Sequence, residues 1–206
     1  MQILNYFSRD EKKRAKFIFD LVAPLYDRLA FLVEETFESS MEKIKLETTI
    51  KGKKVLDVGT GTGRWGVNFL NHSAKKVHGV DLSEKMLNKA SEKYKNMTFS
   101  LGEADNLTEF DDNSFDIVTA SNLLHGVSKQ LRLKILQEMK RVSKEFVIIY
   151  DFVGRTPIIF HIIEILEQSY YLNFKKYFMD DLNKFFNYSI KYEIGAGFGL
   201  YIANNN

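Results

Sequence analysis

Short apolar runs alternate with helical patterns through the middle of the chain, and this alternation restricts the possible folds more than any other feature. The apolar runs predict five strands, at Lys54 to Val58, Lys76 to Val80, Met97 to Leu101, Asp116 to Ala120 and Glu145 to Tyr150. Between most of them, as in residues 83–94 and 128–142, apolar residues recur at helical spacing. Such alternation implies parallel strands joined by right-handed crossovers, with ligands beyond the carboxyl ends of the strands.

The segments on either side of this middle differ from it. Residues 1–50 predict a helical N-terminal cap, and two prolines, Pro24 and Pro157, are expected to interrupt regular structure. Residues 152–206 are rich in aromatic side chains and end in two further predicted strands, Ile190 to Ile194 and Phe198 to Ile202. Residues 51–151 are then the ligand-binding core of a single domain that spans residues 1–206.

Composition excludes several classes of function. The 29 Lys and Arg residues are nearly balanced by 27 Asp and Glu residues, so no nucleic-acid partner is expected. The chain has no cysteine, which excludes disulfide frameworks, thiolate metal sites and a catalytic thiol, and no metal site is predicted. The start carries charge where a signal peptide needs an apolar core, and no apolar run reaches the roughly 20 residues of a membrane span. We therefore expect a cytoplasmic protein without stable membrane insertion.

The most informative motif is VLDVGTGTG at residues 55–63, a buried strand that runs into a glycine-rich turn. Glycine lets the backbone adopt positive φ and approach a ligand closely, and the helix that follows offers free N–H groups. Gly61, Gly63 and Gly66 also satisfy the dinucleotide pattern Gly-x-Gly-x-x-Gly, which is a weak signal when taken alone. Asp57 argues against a dinucleotide, because its carboxylate would repel a pyrophosphate and attract a cationic group.

A second acidic residue, Asp81, ends the second predicted strand about 20 residues after the glycine turn. A carboxylate at this place can accept hydrogen bonds from both hydroxyls of a ribose. Ser83 is the expected N-cap of the helix that follows. The alternative is that Asp81 is an ordinary turn or cap residue.

Three runs, VLDVGTGTG, VDLSEKML and GEADNLTEFDDNSFDIVTASNLLHGV, resemble the class I S-adenosylmethionine-dependent methyltransferases, especially the methyltransferase type 11 branch that includes the ubiquinone and menaquinone C-methyltransferases. The resemblance covers roughly residues 20–150 and is much weaker after Asp151. Together with the strand pattern, it implies an α/β, Rossmann-like three-layer sandwich with a seven-stranded, mostly parallel sheet and a C-terminal antiparallel strand pair. It also implies S-adenosylmethionine (SAM) as cofactor, S-adenosylhomocysteine (SAH) as product, and a small-molecule acceptor for which an aromatic or quinone-like ring is the nearest match.

The resemblance assigns the parts of the cofactor to particular residues. Asp57 is implied near the ammonium group, with Ser121 beside it at the end of the fourth strand, and Asp81 is implied at the ribose. The methionine part would lie on the glycine turn, which comprises Gly59, Thr60, Gly61, Thr62 and Gly63. The residues implied for the adenine are Leu82 and Met86 at its faces and Glu103 with Ala104 at its edge, with Asp105 as a competitor for the role of the acid.

Two residues are candidates for a role in the reaction itself. The resemblance places His125 near the transferred methyl group, where a neutral imidazole could orient a substrate or accept a proton. Tyr26 matches a residue on the helix that closes over the cofactor in related proteins. Each has a structural alternative as a packing residue. The candidate polar groups of the substrate wall, at residues 152–178, are His161, Glu164, Tyr170 and Tyr171.

Three functional hypotheses follow. The first is a small-molecule methyltransferase that works by in-line displacement, with carbon, nitrogen and oxygen acceptors all open. The second is a nicotinamide-dependent oxidoreductase, which Asp57 and the terminal strand pair disfavour. The third is a non-catalytic methyltransferase-like binding module, which the intact set of acid, glycine turn and acid disfavours.

Overall fold

The structure is a computed structural model that describes residues 6, 8, 10–166 and 168–205, without the side chains of residues 15, 19–35, 159, 162, 163 and 166. Its helices are α1 (Glu11–Glu47), α2 (Gly66–Asn71), α3 (Glu84–Lys93), α4 (Lys129–Val142), α5 (Ile158–Leu166) and α6 (Tyr171–Leu182). Its strands are β1 (Lys54–Val58), β2 (Lys76–Asp81), β3 (Thr98–Leu101), β4 (Phe115–Ser121), β5 (Ser143–Phe152), β6 (Tyr188–Gly195) and β7 (Phe198–Asn204). A short 3₁₀ helix, Leu124–Gly126, follows β4. No described helix combines the length and the apolar character that crossing a membrane requires.

The seven strands form one sheet in the order β3-β2-β1-β4-β5-β7-β6. Neighbours pair in parallel from β3 to β5, whereas β7 pairs antiparallel with both β5 and β6. The predicted mostly parallel sheet with a C-terminal antiparallel pair is therefore confirmed. Because β2 and β4 flank β1 on opposite sides, a crevice for ligands opens at the carboxyl end of β1.

The sheet buries apolar side chains on both of its faces. Leu56 and Val58 of β1 belong to a cluster that also contains Phe174 of α6. Val55 points to the other face, where its cluster includes Phe37 of α1. A strand that is buried on both faces gives a continuous apolar run in the sequence, which is why β1 could be predicted from sequence.

Helix α1 differs from the sequence expectation, because it runs unbroken through Pro24. A proline inside a helix removes one backbone hydrogen bond and costs about 3 kcal/mol. Burial of Phe37, Met41 and Ile44 against the sheet stabilises the C-terminal side of this helix, and each such side chain contributes about 1.5–3 kcal/mol. Pro157, in contrast, does mark a boundary, since α5 begins directly after it.

Candidate functional site

A cavity of about 270 Å³ opens at the carboxyl ends of β1, β4 and β5, with the first turns of α1 along its edge. A smaller cavity of about 50 Å³ adjoins it at the end of β2. The two cavities share the lining residues Gly59, Gly61, Leu82, Ala104, Ser121, Asn122 and Leu123. Every described residue that the sequence predicts for the cofactor lines one of these cavities, with the exception of Gly63. The side chain of Tyr26, predicted as a lid residue, lies outside the described residues.

The glycine turn after β1 keeps space open for a ligand. Gly59, Gly61 and Gly63 have φ values of 67°, 54° and 80°, in the left-handed region that favours glycine. A Cβ at Gly61 would meet nothing within 4 Å, so this residue borders open space in both cavities. A Cβ at Gly63 would come within 2.9 Å of Cδ2 of Tyr94. Gly63 therefore serves the close packing of the turn against the end of α3.

Asp57 is a buried acid with one unsatisfied oxygen. Its Oδ2 accepts a hydrogen bond from Thr60 Oγ1 at 2.6 Å, whereas its buried Oδ1 has no hydrogen-bond partner among the described residues. Burial raises the pKa of Asp57 to about 7, because the charged form loses its hydration. Asp57 lines the larger cavity, so a cationic group placed there would supply the missing partner and favour the ionised carboxylate.

Asp81 holds the glycine turn with one oxygen and the start of α3 with the other. Its Oδ2 accepts from the backbone N–H of Gly61 at 2.8 Å, and its Oδ1 accepts from the N–H of Ser83 at 2.8 Å. Ser83 is the N-cap of α3, as predicted, since its side chain accepts from the N–H of Met86. Burial raises the pKa of Asp81 above its ordinary value. Each carboxylate oxygen retains a lone pair for a further donor such as a hydroxyl.

The first turns of α1 are bound to the rim of the larger cavity. Lys12 Nζ lies 2.6 Å from Glu103 Oε2 and 2.7 Å from Asp105 Oδ1. Lys16 Nζ donates to the carbonyl oxygen of Leu82 at 3.0 Å. On the opposite side, Oε2 of Glu11 accepts from the N–H of Ser128 at 2.8 Å. This end of α1 therefore forms a lid, and its lysine contacts both of the acids that the sequence left as competitors.

His125 is buried at the other end of the larger cavity and lies between two acids. Its Nδ1 is 2.6 Å from Oδ1 of Asp151, and its Nε2 is 3.3 Å from Oε2 of Glu164. His125 and Glu164 are each 5% exposed and Asp151 is fully buried. Of these three residues, His125 and Glu164 line the cavity.

Comparison with known proteins agrees with this geometry. The family model described as a methyltransferase domain matches residues 55–145. The demethylmenaquinone methyltransferase of Thermotoga maritima is 34% identical over 137 residues, which cover 65% of this chain and 58% of that protein. The demethylmenaquinone methyltransferase of Chlorobaculum tepidum is 38% identical over 109 residues, which cover 50% of this chain and 45% of that protein. The chain thus spans about half the length of these relatives.

Solved structures share the whole fold. A SAM-dependent methyltransferase of Thermotoga maritima, described as a possible histamine N-methyltransferase, has a TM-score of 0.69 at 21% identity, over 92% of this chain and 99% of its own. Magnesium protoporphyrin IX methyltransferase from Synechocystis, solved with bound SAM, has a TM-score of 0.68 at 16% identity, over 97% of this chain and 99% of its own. Residues 55–145 are thus similar to a methyltransferase domain, and the fold of the chain is similar to that of SAM-dependent methyltransferases. This likeness to solved structures concerns the fold, so the site of this protein is interpreted from its own residues.

The residues of this site fit the chemical groups of SAM. SAM carries an ammonium group, a carboxylate, a ribose diol and an adenine. Oδ1 of Asp57 and Oγ1 of Thr62 are buried without a hydrogen-bond partner among the described residues, and both residues line the larger cavity. The carboxylate of Asp57 can accept a hydrogen bond from an ammonium group, and the hydroxyl of Thr62 can donate one to a carboxylate, so the pair suits the amino-acid part of SAM. Asp81, which suits the ribose diol, lies at the adjoining smaller cavity.

The end of the larger cavity that His125 lines is aromatic, and we call it the acceptor end. The rings that line the cavity there are Phe37, Trp65, Phe152, Phe160 and Phe198. Of the four polar candidates in the substrate wall, Glu164 lines the cavity, whereas His161, Tyr170 and Tyr171 lie outside its described lining. Tyr171 is 4% exposed and packs against the ring of His161 at 5.2 Å, which makes these two residues part of the scaffold.

Two parts of the site were not predicted from the sequence. Asp151 lies near the carboxyl end of a buried strand, as Asp57 and Asp81 do, so the same signal could have found it. No sequence signal indicated that Glu11 and Lys12 contact the cavity rim, because charged residues at the start of a helix are common and are usually solvated.

Proposed function

We propose that this methyltransferase transfers a methyl group from SAM to a small-molecule acceptor and releases SAH. The observation that carries the proposal is the pair Asp57 and Asp81, which line two joined cavities at the ends of neighbouring strands. The unsatisfied oxygen of Asp57 suits a cation. The carboxylate of Asp81, oriented by two backbone N–H groups, suits a diol.

Further residues complete the proposed cofactor site. We propose that Gly59, Thr60, Gly61 and Thr62 hold the methionine part, with Ser121 beside the ammonium group. The residues proposed for the adenine are Leu82, Met86, Glu103 and Ala104. Since Lys12 binds both Glu103 and Asp105, either acid can meet the adenine edge when the lid moves.

The chain's own contribution to the reaction is positioning and the exclusion of water. SAM, when bound, supplies a methyl group activated by a positively charged sulfur. Methyl transfer removes this positive charge, so a dry cavity favours the reaction. The contacts of Glu11, Lys12 and Lys16 close the cavity from the α1 side, and the aromatic rings at the acceptor end hold the acceptor in line with the methyl group.

The proposed acceptor is a small aromatic or quinone-like molecule. The five rings of the acceptor end suit a flat apolar ligand. The relatives named demethylmenaquinone methyltransferases support a quinone-like acceptor, although the chain spans only about half of their length. We propose that residues 1–206 act as one domain without a nucleic-acid partner. The oxidoreductase alternative has no support, since the relatives reported above are methyltransferases.

Titration calorimetry with SAM and SAH, and with NAD as a negative control, tests the cofactor assignment. We expect both SAM and SAH to bind to the wild type and NAD not to bind. Asp81→Ala should lose most of this affinity, while Asp111→Ala, a change of an exposed acid, should keep it. Binding of NAD alone would overturn the proposal. Absence of binding by all three ligands would favour a non-catalytic module.

A further inference from the structure

His125 lies between the buried carboxylates of Asp151 and Glu164, and the proposed cofactor site does not account for this arrangement. Oδ1 of Asp151 also accepts from the N–H of Phe152 at 2.7 Å, and its Oδ2 lies near the N–H groups of Leu124 and His125 at 3.2 and 3.3 Å. Asp151 is thus an acceptor of several backbone hydrogen bonds. A carboxylate in this role takes the Nδ1–H of the imidazole, which leaves Nε2 as the nitrogen that exchanges a proton.

Glu164 is the second unusual member of this arrangement. Its Oε2 is buried and has no hydrogen-bond partner among the described residues, although it lies 3.3 Å from Nε2 of His125. A buried carboxylate without such a partner is costly, and a ligand group that donates a hydrogen bond would relieve this cost. Both His125 and Glu164 line the aromatic end of the cavity.

The other charges near His125 have partners of their own. Arg132 of α4 is fully buried and binds Asp181 of α6 at 3.1 Å, and its Nη1 is 3.4 Å from the carbonyl oxygen of Leu124. Glu11 and Arg14 line the same cavity from α1. The acids next to the imidazole therefore leave this end of the cavity negative, which disfavours an acceptor that carries a carboxylate there.

We propose that His125 is the base that takes a proton from a hydroxyl on an aromatic acceptor, and that Asp151 and Glu164 are its positioning residues. This inference rests on the proposed function and names the acceptor class of the same site. The acceptor is a phenol-type ring, and its single hydroxyl proton is shared between Nε2 of His125 and Oε2 of Glu164, which lie 3.3 Å apart, before it passes to Nε2.

The step balances without a further reactant. The proton of the hydroxyl passes to Nε2, and the electron pair of the O–H bond stays on the acceptor. That pair, on oxygen or on a conjugated ring carbon, forms the bond to the methyl carbon, and the pair of the broken methyl–sulfur bond returns to sulfur. If the acceptor atom is carbon, its ring proton then moves to the oxygen and restores the hydroxyl. The imidazolium of His125, stabilised by both carboxylates, releases its proton to solvent.

Binding of simple phenols tests the acceptor class without turnover. Trp65 is the single tryptophan of the chain and lines the cavity, so its fluorescence reports binding there. We expect 4-butylphenol to bind about tenfold more tightly than its methyl ether, 4-butylanisole, because a hydrogen bond to a charged group is lost in the ether. The anion 4-butylbenzoate should bind more weakly than either. Glu164→Gln should reduce the preference for the phenol, because only Nε2 of His125 is left as a strong acceptor, and Glu92→Gln, on the exposed face of α3, should retain it in full.

Equal affinities of the wild type for phenol and ether would overturn the inference, as would an undiminished preference in Glu164→Gln. The titrations are carried out with and without SAH. If the wild type does not bind SAH, the result counts against the proposed function. The comparison of phenol with ether still decides the acceptor class.

Nitrogen NMR of the four histidines tests the role of Asp151. In the wild type we expect Nδ1 of His125 to carry a proton, and we expect 4-butylphenol, but not 4-butylanisole, to shift the Nε2 resonance. Asp151→Asn should alter the Nδ1 signal and remove the response to the phenol, whereas Asp111→Asn should change neither. A His125 spectrum that is the same in Asp151→Asn and in the wild type would contradict the positioning role.

Discussion

The backbone N–H of Gly61 donates to Oδ2 of Asp81 at 2.8 Å, so the residue that ends β2 fixes the turn that follows β1. The second oxygen of Asp81 accepts from the N–H of Ser83 and fixes the start of α3. One carboxylate thus joins the two loops between which the proposed cofactor lies. Because of this relationship, we expect this single acid to govern affinity for the whole cofactor.

Asp81→Asn should weaken the binding of SAH by about tenfold or more, because an amide loses charge-assisted hydrogen bonds and directs one N–H group toward existing donors. Titration calorimetry gives the affinity. Asp111→Asn is the matched control, since this acid is exposed. An unchanged affinity in Asp81→Asn would contradict the assignment of this residue to the ribose.

Asp57 should make the protein less stable as the pH rises from about 4 to about 7. Its pKa is raised from 3.8 to about 7 in the folded protein, so in this window the folded state binds more protons than the unfolded state, and the free energy of unfolding falls with pH. Asp57→Asn should remove this fall and raise stability at pH 8 by up to about 4 kcal/mol. Urea denaturation across this pH range measures the effect, with Asp111→Asn as the control. If the free energy of unfolding of Asp57→Asn falls with pH as steeply as that of the wild type, Asp57 is not the cause of the fall.

Cofactor binding should release protons near neutral pH. An ammonium group beside Asp57 favours the ionised carboxylate and lowers its pKa, so SAH binding at pH 7 should release about half a proton from this residue. Calorimetry in buffers with different ionisation enthalpies gives the number released. A buffer-independent enthalpy in the wild type, or the same release in Asp57→Asn, would disagree with this mechanism.

Lys12→Ala should speed the dissociation of SAH. Lys12 fastens the start of α1 to Glu103 and Asp105, and partly exposed ion pairs of this kind contribute up to about 1 kcal/mol, which corresponds to about a fivefold change in rate. Stopped-flow fluorescence of Trp65 can follow dissociation. Lys13→Ala is the matched control, because Lys13 is 72% exposed at its side chain and lies 3.9 Å from Asp10. Added salt should accelerate dissociation in the wild type more than in Lys12→Ala.

Arg132→Met should destabilise the fold by about 3 kcal/mol, because the buried carboxylate of Asp181 loses the guanidinium group that neutralises its charge. Arg132 is fully buried and also donates to Oδ1 of Asn173 at 2.9 Å, so it joins α4 to α6. Urea denaturation of Arg132→Met and of the exposed Arg155→Met measures the difference. Combination with Asp181→Asn should cost less than the sum of the single changes; additive losses would show that the two residues act independently.

The sequence predicted the strands and the acids at their ends because these features are local. Burial on both faces makes β1 a continuous apolar run. Asp57 and Asp81 are recognisable because each lies at or near the carboxyl end of such a run. The proximity of His125 to Asp151 depends instead on the pairing of β4 with β5, which brings residues 26 positions apart into contact. The contact of Lys12 with Glu103 spans 91 positions and depends on the path of α1. Periodicity reports which face of an element is buried but not which distant element covers it.

The length of α1 links the aromatic end of the cavity to the rim at Lys12. Phe37 packs edge-on against Trp65 and Tyr150 at centroid distances of 5.1 and 5.0 Å, whereas Lys12 lies on the cavity rim. The two positions are separated by about 37 Å along a continuous helix that rises 1.5 Å per residue. Such a helix acts as a lever, and a tilt of about 5° at Phe37 would displace Lys12 by about 3 Å by this geometry. A conservative exchange of Tyr150, which packs against Phe37 but does not line the cavity, can therefore change how quickly ligands bind and dissociate while every residue of the cavity lining is kept.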